Sequence, residues 1–261
     1  MDTGLEGRVA IVTGGSRGIG HAVAAQLVAE GADVVVVGRD ERALARVVDE
    51  LGAGQALAVA ADLTDPAAAD RVVDACRERF GGPDVLVNNA GGATPSPIAE
   101  LGEQDWHDAF EQNFFSAVRM SAACAPLMAE AGWGRIVHVA SVSAREPDPA
   151  FAPYSAAKAA LVNLSGSLAR AWGPRGVRSS CVLAGITMTG LVERNVEDVA
   201  RARDTTPEEV LARLLRRQDV PAGRFGEPGD VAAAVVFLAS AAAEWVNGAT
   251  LEVDGGTLRS V

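Results

Sequence analysis

Arg8-Val-Ala-Ile-Val-Thr-Gly-Gly-Ser-Arg-Gly-Ile-Gly20 decides how the rest of the chain is read. Its first six residues form a short apolar run suited to a buried strand, and the glycine-rich turn passes at once into a helical pattern marked by Val23, Leu27 and Val28 and stopped at Gly31. Strand, glycine turn and helix in that order are the context a dinucleotide site needs. Glycine lets the backbone come close to a pyrophosphate, and the free N–H groups and dipole of the helix N-terminus attract its charge. The spacing here is G-x-x-x-G-x-G, from Gly14 through Gly18 to Gly20, rather than the general G-x-G-x-x-G. A tight connection with no ligand is the competing reading of the glycines alone.

The alternation continues outward from this turn. Asp33 to Gly38 is a second, almost wholly apolar strand, as expected of a parallel sheet covered on both faces. Helix Glu41–Leu51, strand Gln55–Ala61, helix Pro66–Phe80 and strand Asp84–Val87 follow, then a long helix Glu103–Glu130 and strand Arg135–Ala140. A helix from Tyr154 to Trp172, strand Val177–Leu183, helix Pro228–Ser240 and strand Ala249–Val253 complete the pattern. These elements predict an α/β fold: a doubly wound parallel sheet of about seven strands with helices on both faces. Residues 1–261 read as one domain, with no repeat or linker.

Composition narrows the function. The formal net charge of -11 disfavours nucleic acid and anionic membrane, so a small molecule is the expected partner. No basic, apolar leader follows Met1, and the apolar run Val231–Ala239 is too short to span a bilayer; a cytoplasmic location is expected. Cys76, Cys124 and Cys181 lack metal-ligand spacing and read as reduced, buried thiols, and no metal is expected. His138, near the end of a strand, reads as an interior residue, and His21 and His107 join no metal constellation.

Ligands of parallel sheets bind beyond the carboxyl ends of the strands, so residues there are site candidates. Arg39 stands about twenty positions past the glycines, where an acid would hold the ribose 2′-hydroxyl of NAD and an arginine would accept the 2′-phosphate of NADP. With Arg17 it favours NADP(H), although Asp40 leaves NAD(H) open. Asp62 can receive the adenine amino group or merely cap the next segment, and Asn88-Asn89-Ala90-Gly91 falls beside the glycine turn. Asn113 sits in mid-helix, where asparagine is unfavourable, which points to a tertiary hydrogen bond. Tyr154 is the only tyrosine, and Lys158 stands one helical turn beyond it. A phenol titrates near ~10, and a cation within ~4–6 Å lowers it toward useful acid–base chemistry; a solvated surface pair is the bland alternative.

Taken together, Thr13 to Gly20, Asp62, Asn88 to Gly91, Asn113, Ser141, Tyr154 and Lys158 resemble the short-chain dehydrogenase/reductase family, in its order and approximate spacing over nearly the whole chain. The similarity is greatest to its 3-oxoacyl-carrier-protein-reductase-like and polyketide-ketoreductase-like members. The resemblance implies a Rossmann fold and an NADP(H)-dependent ketoreductase. In it Tyr154 is the general acid or base, Lys158 tunes it and binds the nicotinamide ribose, Ser141 holds the substrate oxygen, and Asn113 binds a relay water. It implies cofactor contacts from Gly14, Ser16, Arg17, Gly18, Ile19, Gly20, Arg39, Asp62, Leu63, Asn89, Ala90, Gly91, Gly185, Thr187 and Thr189, besides Tyr154 and Lys158. It also implies a homotetramer built on the Glu103–Glu130 and Pro153–Trp172 helices. An NAD-dependent alcohol dehydrogenase and a non-catalytic redox sensor are the alternatives. Residues 187–218, the most charged part of the chain, read as a substrate lid or a solvated hairpin. Ala184 departs from the family's proline, and alanine there is expected to loosen the turn.

Overall fold

The computed structural model describes residues 2–259, with Leu191 described by its main chain only. Seven parallel strands form one sheet in the order β3-β2-β1-β4-β5-β6-β7: β1 Val9–Thr13, β2 Asp33–Gly38, β3 Ala56–Ala60, β4 Val85–Asn88, β5 Gly134–Ser141, β6 Val177–Ala184 and β7 Thr250–Val253. The order reverses between β1 and β4, which opens a crevice at their carboxyl ends.

The apolar runs explain the layering. Side chains alternate across a strand, so Ala10, Val12, Val34, Val36, Val85, Val87, Val137 and Val139 face one way, onto α1 Gly18–Ala29 and α9 Pro228–Ala239. Ile11, Val35, Val37, Leu86 and Ile136 face the other, onto α3 Ala68–Phe80 and part of the long helix. The remaining helices are α2 Glu41–Leu51, α4 Glu103–Phe110, α5 Ser116–Glu130, α6 Ala152–Trp172, α7 Gly190–Ala202 and α8 Pro207–Gln218. The doubly wound Rossmann-type architecture expected from the sequence is the one observed.

Three boundaries carry information. The single helix expected over Glu103–Glu130 is α4 and α5 joined through a π-helical turn, Glu111–Phe115, with Asn113 at its centre. Such turns insert one extra residue and re-aim the side chains within them. Strand β6 runs one residue farther than expected, to Ala184, which pairs with Ser141 on one side and Val253 on the other. Thr206 caps α8, its hydroxyl accepting from Glu209 N, with Pro207 in the first turn.

Candidate active site

Thr13, at the end of β1, organises the crevice. Its hydroxyl donates to Val87 O (3.1 Å) and accepts from the backbone N–H groups of Asn89 (2.9 Å) and Ala90 (3.0 Å). The Asn89 amide in turn donates to Thr13 O (2.9 Å) and Gly14 O (3.2 Å). The β4 exit is thereby fixed against the glycine turn. A Cβ on Gly20 would lie 2.3 Å from Gly14 O and 2.5 Å from Asn89 Nδ2, so only glycine fits. In the sequence Thr13 shows no role of its own beyond the glycine-turn motif; a hydroxyl ending an otherwise apolar strand is its signal.

Helix α1 starts with no side-chain cap and no acidic residue in its first turn, which leaves its N–H groups to an anion. The cradle therefore fits a dinucleotide. Ser16 lies against Gly38, where a Cβ would stand 3.3 Å from Ser16 Oγ, and Thr189 lies against Gly18, whose Cβ would stand 3.1 Å from Thr189 Cγ2. Ile19 packs partly buried against the core, and Arg17 and Arg39 are exposed. Asp62 is held below its ordinary value, first by the Thr64 backbone N–H and then by the Thr64 hydroxyl, with Arg39 adding a smaller pull. Arg39 and Asp62 thus share one end of the crevice. Asp40, the residue that left NAD open, is occupied as the cap of α2, accepting from Ala43 N.

The second half of the crevice gathers around Gly91. A Cβ there would lie 2.5 Å from Asn113 Oδ1 and 3.3 Å from Lys158 Nζ. The suspected tertiary bonds of Asn113 exist: Oδ1 accepts from Gly92 N, and Nδ2 donates to Gly92 O and Ala109 O, each at 3.0 Å. Lys158 is 3% exposed and donates to Val139 O (2.9 Å). Burial pulls its pKa down to about 8. Its Nζ lies 5.6 Å from the Tyr154 ring centre, so the two do share a helix face. The expected lowering of the phenol, however, is reversed. Burial pushes Tyr154 above its ordinary value, and the Ser141 hydroxyl opposes that only in part. Desolvation disfavours a phenolate more than the neighbouring groups favour it.

Ser141 ends β5 and caps a short 3-10 turn, Val142–Ala144; its Oγ accepts from Ser143 N (3.2 Å). His138 is fully buried beside Asn88, and desolvation followed by the Lys158 charge drives its pKa down to about 3, so it is the neutral interior residue anticipated. The three cysteines are buried free thiols, Cys76 pushed up by burial to about 12 and Cys181 to about 11. Among the described residues no cluster of His, Cys, Asp or Glu could hold a metal ion.

A family model described as short chain dehydrogenase matches residues 8–200. The chain belongs to that family. It is 39% identical over 253 residues to the 3-oxoacyl-[acyl-carrier-protein] reductase of Salmonella typhimurium, covering 97% of this chain and 98% of the relative. It is 37% identical to a D-threitol dehydrogenase of Mycolicibacterium smegmatis over 98% and 95% of the two chains. The solved structure of L-sorbose reductase from Gluconobacter frateurii, complexed with NADPH and L-sorbose, superposes with a TM-score of 0.96 at 33% identity, covering 100% of both chains. This short-chain dehydrogenase is therefore an oxidoreductase, and no described helix is long and apolar enough to cross a membrane.

The remaining candidates lie around the exit of β6. Gly185 N donates to Val253 O (3.0 Å), and a Cβ at Gly185 would be 2.8 Å from Asp254 Cα. Thr187 bridges to Gly226 in parallel fashion, and its hydroxyl donates to Gly185 O. The turn that begins at Ala184 is therefore pinned by backbone bonds where the family's proline would have stiffened it. Leu63 offers its carbonyl to Arg119 and packs, partly buried, against the core on the α3 side of the sheet.

Proposed function

We propose that this dehydrogenase is an NADP(H)-dependent ketoreductase in which Tyr154 is the general acid. The observation that carries the reading is the convergence of Ser141, Tyr154 and Lys158 beside Asn113 and Gly91, at the carboxyl ends of β4 and β5 and across from an uncapped helix N-terminus. Gly14, Ser16, Gly18, Ile19, Gly20, Asn89 and Ala90 would cradle the pyrophosphate and its flanks. Arg17 and Arg39 would face a 2′-phosphate, Asp62 and Leu63 the adenine, Gly91 and Lys158 the nicotinamide ribose, and Gly185, Thr187 and Thr189 the far wall. A nicotinamide held there would supply the hydride that reduces the carbonyl carbon. Ser141 orients the carbonyl oxygen, and Tyr154 delivers its phenolic proton to that oxygen as charge develops there. A phenol held protonated by burial suits this direction. Lys158, titrating near 8, can resupply the proton at neutral pH. Both amide hydrogens of Asn113 are spent on carbonyls, which leaves one lone pair of Oδ1 for the relay water.

Two relatives of similar identity are named for different substrates, an acyl-carrier thioester and a polyol, so identity does not choose between them. The α7–α8 hairpin stands at the same rim, and we read it as the substrate lid, with Val196 and Ala200 buried on its inner side. We read the assembly as a homotetramer; Phe115, at the end of the π turn before α5, is 40% exposed, and sedimentation of the purified chain checks the size. The decisive experiment is Tyr154→Phe, assayed by oxidation of NADPH and of NADH with small ketones. Turnover should fall about 10²–10⁴-fold with NADPH binding retained, and unchanged turnover would overturn the assignment.

A further inference from the structure

The 3-10 turn Val142–Ala144 directs three side chains three ways. Val142 lines a small cavity with Ile186, Phe225 and Thr257 at the base of the lid. Ala144 packs against the cluster formed by α5, α6 and the sheet, with Leu161 and Leu183. Ser143, between them, faces back to the reacting centre: Ser141 Oγ donates to Ser143 Oγ at 3.2 Å, and the Ser143 N–H returns a bond to Ser141 Oγ. The turn is held from behind by bonds from Arg145 N and Glu146 N to Val142 O (2.9 and 3.0 Å), by the Arg145–Glu252 ion pair, and by Arg259 N donating to Glu146 Oε1 (2.9 Å). Ser143 therefore presents a hydroxyl at a fixed place, one hydrogen bond from the group that receives the substrate oxygen.

We propose that Ser143 is a specificity-determining residue that recognises a second oxygen on the carbon next to the carbonyl, so that the substrates are α-hydroxy ketones. The inference rests on the ketoreductase reading of the site. When Ser141 turns its O–H onto a carbonyl oxygen, Ser143 Oγ loses the donor it had. A hydroxyl on the adjacent carbon replaces that donor at the right separation, because two vicinal oxygens are spaced much like two hydrogen-bonded hydroxyls. A plain ketone leaves the position to water. The rigid turn means that little ordering is needed to make the second bond.

The test compares 3-hydroxybutan-2-one with butan-2-one as substrates of the wild type and Ser143→Ala. The ratio of their kcat/KM values should favour the hydroxy ketone in the wild type and fall about tenfold in the variant, the worth of one neutral hydrogen bond. The plain ketone should lose clearly less than the hydroxy ketone, and Ser143→Thr should keep the ratio. Equal losses on both substrates would overturn the proposal, because Ser143 would then only hold Ser141. A second readout needs no turnover: butane-2,3-diol should raise the melting temperature more than butan-2-ol does, and Ser143→Ala should abolish that difference. A diol preference without any ketone reduction would refute the ketoreductase reading while upholding the Ser143 contact. No preference in either readout would refute the contact itself.

Discussion

Arg135 and Lys158 are both buried cations bonded to strand β5, 0% and 3% exposed, yet the protein treats them in opposite ways. Arg135, at the start of the strand, donates to Glu244 Oε2 (2.5 Å) and to the carbonyls of Gly134 (3.0 Å) and Ser240 (3.4 Å), and its guanidinium stacks 4.3 Å from the Trp133 ring. Arg178 joins the same carboxylate at 2.7 Å. Burial pulls the Arg135 pKa down and Glu244 pulls it back up. Lys158, at the other end, has one carbonyl, Val139 O, and no carboxylate partner among the described residues. A counter-charge makes a buried cation a structural member, whereas withholding one keeps its proton exchangeable near neutral pH.

The largest effect should come from removing the uncompensated cation. Lys158→Met should cut turnover at saturating NADPH by about 10²-fold or more, on the scale of a general acid–base contribution. Its melting temperature should not fall, because the cost of burying an unpaired charge disappears with the charge. A large loss of stability with turnover preserved would invert the comparison. Glu244→Ala should do the opposite. Leaving Arg135 buried without its partner should cost about 3 kcal/mol in denaturant unfolding, the lower end of the range for a broken buried pair because Glu244 is 54% exposed. Turnover per folded molecule should be unchanged. Adding Arg135→Met to that variant should recover most of the loss, and failure to recover would show that Arg135 packing, not its charge, supports this end of the sheet.

How much of this could be read in the sequence follows from the range of each interaction. Strand ends and the glycine turn are local patterns, and they place Gly14 to Gly20, Asn89 and Ser141 on one rim. The π turn was invisible, because one extra residue between two amphipathic segments leaves the apolar spacing of α4 and α5 almost undisturbed. The bonds from Asn113 to Gly92 could be suspected but not assigned, since the partner is 21 residues away. The direction of the Tyr154 shift is not legible in the sequence, because the cation four residues on is local while the desolvation that raises the phenol is assembled from several elements. Thr13 is marked only as a hydroxyl at the end of an apolar strand and Ser143 by no periodicity at all; their hydrogen-bond partners show what they hold.

The smallest expected effect sharpens the comparison most, because it isolates the charge on Lys158 from its chemistry. Burial moves this lysine from 10.5 to about 8. A base lowered on folding holds fewer protons in the native state than in the unfolded chain between those two values. Stability must therefore rise with pH across that window, and the cost of the buried charge is fully present below about pH 8. Urea unfolding of the wild type should accordingly show a gain of about 2 kcal/mol between pH 8 and pH 10 relative to Lys158→Met, which lacks the titrating group. Arg135, a guanidinium that keeps its proton in proteins and is paired with Glu244, should contribute nothing to that slope, so Arg135→Met in the Glu244→Ala background should leave it in place. Identical slopes in the wild type and Lys158→Met would mean that Lys158 keeps an ordinary pKa, and that an unpaired cation in this sheet is no readier to give up its proton than a paired one.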